Sequence, residues 1–111
     1  MSDFHDFLKH QFAHVALGEF KPGKFAEAQR LYEEAVATYS QGFKGAYLLR
    51  ETGTERGISV IFWESQEDMD ANQNEIYKAI LKKMAPLFAQ APTTAMYEVV
   101  TELQPGNSEK H

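Results

Sequence analysis

From Phe12 to Phe20 the chain alternates in character. Ala13, Val15 and Leu17 fall on one side, and Phe12, His14, Ala16, Gly18 and Phe20 on the other. A period of two predicts a strand. Lys21-Pro-Gly-Lys24 ends it, because proline lacks a ladder N–H and glycine permits a tight turn. Phe25, Ala28, Tyr32, Ala35, Val36 and Tyr39 then recur at steps of three and four, one apolar stripe on a helix from Phe25 to Ser40. Glu27, Arg30, Glu33 and Glu34 lie largely off that stripe. Gly42 is placed to take the left-handed conformation that closes a helix.

Phe43 to Glu51 is aromatic and aliphatic, and predicts a second strand. The polar segment from Glu51 to Gly57 joins it to a third strand, Ile58 to Trp63, as a hairpin. That strand shows Ile58, Val60 and Phe62 on one face and Ser59, Ile61 and Trp63 on the other. It runs straight into a helix start: Ser65 can cap, with Asp68 where the reciprocal acid of a capping box sits. Two helical pieces are expected, Ser65 to Asn72 and Glu75 to Phe88, with a re-cap in the polar Asn72–Asn74 stretch. Ile76, Ile80, Leu81, Met84, Leu87 and Phe88 form the second stripe, and Pro86 should kink or loosen it. Thr94 to Leu103 alternates again and predicts the last strand.

The order β-α-β-β-α-β is the split-βαβ, or ferredoxin-like, plan: an α+β domain with a four-stranded antiparallel sheet and both helices on one face. It occupies residues 12–103. Residues 1–11 form a leader in which Phe4, Phe7 and Leu8 have helical spacing, and 104–111 a disordered tail. The first three strands are apolar on both faces, so the side away from the helices needs a cover. The simplest supplier is the same sheet from a second copy, a homodimer through sheet faces.

Composition narrows the partners. Net charge is −5 with no basic run, which weighs against nucleic acid and anionic membrane surfaces. With no cysteine there is no disulfide, thiolate nucleophile or Cys-based zinc site, and a reducing cytoplasm fits. The start, Met-Ser-Asp-Phe-His-Asp, has neither the basic nor the apolar region of a signal peptide, and the longest apolar run, Val60 to Trp63, is too short to span a bilayer.

Lys21-Pro22-Gly23-Lys24 after the first strand, Phe62-Trp63-Glu64-Ser65 after the third, and Leu81 to Pro92 with Ala85-Pro86-Leu87-Phe88 resemble the antibiotic biosynthesis monooxygenase family. The resemblance covers Phe12 to Leu103. It implies the dimeric α+β barrel superfamily, two sheets packed face to face, and a small-molecule pocket in each subunit between sheet and helices. Some members oxidise polycyclic phenols to quinones with molecular oxygen and no metal or organic cofactor; others degrade haem; many have no known activity. The haem-degrading branch uses an Asn, a Trp and a His where this chain has Ala16, Asn72 and Lys82, and none matches.

The resemblance therefore implies a cofactor-independent monooxygenase-like protein acting on an aromatic or apolar small molecule. The alternative on the same scaffold is a non-enzymatic small-molecule-binding or stress-associated dimer. His14 is the one histidine inside a predicted strand, a candidate base or an ordinary interface residue. Asn72 could orient oxygen or substrate, or simply end a helix. Trp63 and Tyr47 suggest an aromatic wall, and Ser59, Phe88 and Tyr97 join them as expected pocket residues. His5, His10 and His14 with Asp3 and Asp6 invite a metal reading, but His14 sits on a strand and shares no helical face with His10, so no metal is expected. The chain contains no P-loop, GxGxxG, GxSxG or HExxH motif.

Overall fold

A computed structural model of the chain describes residues 11–105. Four strands and three helices follow in order: β1 (Gln11–Glu19), α1 (Phe25–Val36), β2 (Phe43–Arg50), β3 (Arg56–Trp63), α2 (Gln66–Ala71), α3 (Glu75–Met84) and β4 (Thr93–Val99), with a 3₁₀ turn at Ala85–Leu87. The sheet order is β2-β3-β1-β4, every pairing antiparallel. The fold is the ferredoxin-like α+β plan that the hydrophobic pattern predicts. Residues 1–10 of the leader, with His5 and His10, lie outside the described residues, as does most of the tail; Gln11 already belongs to β1.

The elements end where local chemistry ends them. α1 stops at Val36, four residues short of Ser40. Thr38 donates from both its N–H and its hydroxyl to the Ala35 carbonyl, at 3.1 and 2.7 Å, and this tightens the last turn out of the helix. Gly42 is therefore not the helix terminator. It shapes the turn into β2 at φ 81°, and its carbonyl accepts the Glu64 N–H at 2.8 Å. A side chain there would collide with Asp68.

Ser65 caps α2 as expected, its hydroxyl accepting the Asp68 N–H at 3.1 Å. Asn74 re-caps the chain for α3 by accepting the Tyr77 N–H at 2.8 Å. The missing N–H of Pro86 converts the expected last turn to the 3₁₀ segment. β4 runs to Val99, which pairs with Gln11 of β1, and stops four residues short of Leu103.

Helix packing corrects both stripes. Leu31 joins Phe25, Ala28 and Ala35 among the buried residues of α1. On α3 the inward set is Tyr77, Ile80 and Met84, and Ile76 is 63% exposed. These side chains meet Phe20 and Leu87 to form the core between helices and sheet. Phe20 stacks on Phe88 at 4.5 Å and meets Phe25 edge-on at 5.3 Å.

β2 carries an irregularity the alternation hides. Its register to β3 shifts between Phe43 and Gly45, and Gly45 takes φ 141°. This β-bulge inverts the inside–outside parity along the strand. Phe43 pairs with Trp63 on the helix side, whereas Tyr47 pairs with Val60 on the far side. On that far side Leu17, Tyr47, Leu49, Ile58 and Tyr97 are all exposed, an apolar sheet face with no cover among the described residues.

Candidate functional site

A cavity of about 560 Å³ lies between the sheet and the helices. Its floor is the helix-side face of the two central strands: His14 and Ala16 of β1, Ser59 and Ile61 of β3. Tyr32 on α1, Tyr39 just beyond it, and Tyr77 and Leu81 on α3 form the roof. Trp63 closes one end. Phe88 closes the other, lying against Gly18, where a Cβ would come within 2.8 Å of the ring. Glycine at this point in β1 is what lets the ring come so close to the strand.

No lining side chain is Asp, Glu, Lys or Arg. An anion bound here would meet no fixed countercharge in a low-dielectric space, so the cavity suits a neutral, largely apolar molecule. Trp63, 1% exposed, is packed by Tyr39 at 4.8 Å and Phe43 at 5.7 Å. Burial holds the His14 imidazole below its ordinary pKa, so it is neutral at pH 7. Burial also raises the Tyr32 phenol, a shift the hydrogen bond from Ser59 opposes. Tyr39 is pushed well up, first by burial and then by the neighbouring Tyr77 hydroxyl.

The residues expected from sequence divide cleanly. His14, Ser59, Trp63 and Phe88 line the cavity together. Tyr47 and Tyr97 do not. The bulge turns Tyr47 outward, where its ring meets Phe62 at 6.3 Å, and Tyr97 pairs with Ala13 on the same outer face. The aromatic ring beside Trp63 in the cavity wall is Tyr39 instead, and Phe43 packs on the indole without lining the cavity. Asn72 is also absent from the lining. It is 6% exposed and wholly engaged: Oδ1 accepts the Ser40 N–H at 2.9 Å, and Nδ2 donates to the Gln41 and Asp68 carbonyls at 3.0 and 2.8 Å. It ties the end of α2 to the segment leading into β2. Among the described residues no cluster of three metal-ligating side chains occurs.

The three tyrosines are what the sequence reading missed as site residues. Tyr32 and Tyr39 were countable as stripe positions, and a tyrosine on a buried stripe carries a hydroxyl that must find a partner. Tyr77 gives no such signal until the facing of α3 is known.

The family model for antibiotic biosynthesis monooxygenase matches residues 12–83, from β1 into α3. The chain belongs to that family. Solved structures agree on the fold. A conserved protein from Methanosarcina mazei Go1 superposes with a TM-score of 0.74 at 15% identity, over 84% of this chain and 96% of that one. A Caulobacter crescentus CB15 protein named for the same family gives 0.74 at 19% identity, over 91% and 100%. A variant of SnoaB, a cofactor-independent oxygenase from Streptomyces nogalater, gives 0.74 at 14% identity, over 84% and 96%. No curated protein matches the chain. Among the described residues no helix is long and apolar enough to cross a membrane.

Proposed function

We propose that the protein is a cofactor-independent monooxygenase that oxidises an aromatic or similarly apolar small molecule with O₂. The observation that carries this reading is the cavity: aromatic walls, no charged side chain, and a neutral imidazole on its floor. Membership of a family with oxygenase relatives supports it. Oxygen chemistry without a cofactor requires a substrate that can itself give an electron to O₂, so the protein must generate and shelter an electron-rich anion.

His14 supplies the first step. Neutral, it takes a proton from an activated ring carbon or phenol, and the imidazolium so formed is the countercharge the cavity otherwise lacks. The substrate anion reduces O₂ and a C–O bond forms. The imidazolium returns its proton as water departs. For an activated methylene the balance is R₂CH₂ + O₂ → R₂C=O + H₂O. One oxygen atom enters the product, the other leaves as water, and no external reductant is needed.

The uncovered sheet face belongs to the same proposal. Leu17, Tyr47, Leu49, Ile58 and Tyr97 fit the matching face of a second copy, and the assembly is a homodimer closed through its sheets.

A second reading, a binding module without turnover, is favoured by one feature: among the described residues no hydrogen-bond partner orients His14, as a general base requires. Oxygen uptake with anthrones and hydroquinones separates the two. The expected result is uptake above background with one carbonyl oxygen gained, and a loss of about a hundredfold or more in His14→Ala. No uptake with any of these compounds, alongside a retained metabolite in native mass spectrometry, sinks the oxygenase and leaves the binding module.

A further inference from the structure

The polar spot in the cavity floor has a direction. Tyr32 Oη lies 3.0 Å from the Tyr47 backbone carbonyl and 3.1 Å from Ser59 Oγ. A carbonyl only accepts, and a tyrosine has a single hydroxyl proton, so that proton is committed to the Tyr47 carbonyl. The bond between the two hydroxyls must then run from Ser59 to Tyr32, which commits the Ser59 proton as well. Both protons of the pair are thus taken up within it, along a chain that runs from floor to roof and ends on the backbone of edge strand β2. What Ser59 offers the cavity is lone pairs alone.

We infer that Ser59, polarised by Tyr32, is a specificity-determining acceptor that selects aromatic ligands carrying a hydroxyl donor over carbonyl or ether analogues. The inference rests on the cavity's being the ligand site, and it assigns hydroxyl recognition there to one named side chain. A site built to accept from a hydroxyl discriminates well against an analogue without one, because its own buried oxygen is left unpaired. The register places the ligand relative to the base. Ser59 pairs with Ala16 and Ile61 with His14, so Ser59 and His14 are diagonal neighbours on one face, about 7–8 Å apart at the backbone. One fused ring system reaches both, its hydroxyl on Ser59 and another ring position beside the imidazole.

Binding of two probes of similar size, measured by calorimetry, tests this: 1-naphthol, which can donate, and 1-tetralone, which can only accept. Wild type should prefer 1-naphthol. Ser59→Ala should weaken 1-naphthol about three- to tenfold and leave 1-tetralone unchanged. Ser59→Thr should keep the wild-type preference. Tyr32→Phe is the decisive variant: it frees the Ser59 proton to turn into the cavity, so 1-tetralone should bind more tightly than in wild type. Equal weakening of both probes in Ser59→Ala and Tyr32→Phe would mean a purely structural pair and would overturn the inference. Equal affinity of wild type for the two probes overturns it while leaving the cavity as the ligand site. Binding of neither probe overturns both.

Discussion

Asn72 offers a test of whether a conspicuous polar residue serves chemistry or architecture. Asn72→Ala removes three hydrogen bonds, to the Ser40 N–H and to the Gln41 and Asp68 carbonyls. Bonds between neutral partners are each worth about 1 kcal/mol net, and the partners left behind lose more where water cannot reach them. Ser40 and Gln41 are exposed, so water recovers part of the loss there. A destabilisation of about 2–3 kcal/mol results. Chemical unfolding in urea should report it as a lower midpoint at unchanged slope. Asn74→Ala is the internal control. It removes a single exposed cap bond to the Tyr77 N–H, which should cost about 1 kcal/mol. The Asn72 variant should also bind cavity ligands less well, because the segment it ties down carries Tyr39, the ring packed on Trp63. If Asn72→Ala shifted stability by less than about 0.5 kcal/mol, the scale of an uninvolved surface change, and yet abolished oxygen uptake, the structural account would be refuted.

Two further outcomes follow from burial. Because His14 is held below its ordinary pKa in the folded chain, the unfolded chain binds more protons in the interval beneath 6.5. Stability should therefore rise with pH through that interval and fall as the solution is acidified, and His14→Gln should flatten this part of the urea-midpoint profile against pH. The uncovered sheet face predicts a dimer in sedimentation equilibrium at micromolar concentration. Leu17→Lys, which puts a charge onto central strand β1 of that face, should shift it to monomer with the helix-side core unaffected, whereas a wild-type monomer would contradict the sheet-to-sheet proposal.

Much of this was legible in one dimension. Strand and helix periods differ so sharply that the β-α-β-β-α-β order, the Ser65 cap and the break at Pro86 follow from residue spacing alone. The family-bearing motifs at Lys21–Lys24 and Phe62–Ser65 sit at element junctions, where backbone geometry restricts residue choice. The failures share a cause. Gly42 takes the positive φ its position suggests, but in the turn into β2 and not at a helix end. Regular alternation along β2 puts Tyr47 beside Trp63; Gly45, a glycine inside a strand, is the local sign of the bulge that breaks it. The alternation that suggests a strand to Leu103 continues past Val99, where β4 ends.

By itself, the sequence determined which segments are strands and helices, their order, and that the sheet is apolar on two sides, since these depend on local period and composition. Only the tertiary structure decided which face encloses a cavity, since that depends on where the helices dock. One extra residue in β2 sent Tyr47 out and left Phe43 and Tyr39 against Trp63. Packing makes Asn72, a candidate for orienting oxygen or substrate, a tie between the end of α2 and the segment before β2. The direction of the Ser59–Tyr32 pair was set by a backbone carbonyl twelve residues away from Ser59 in sequence, a partner that no local pattern can reveal.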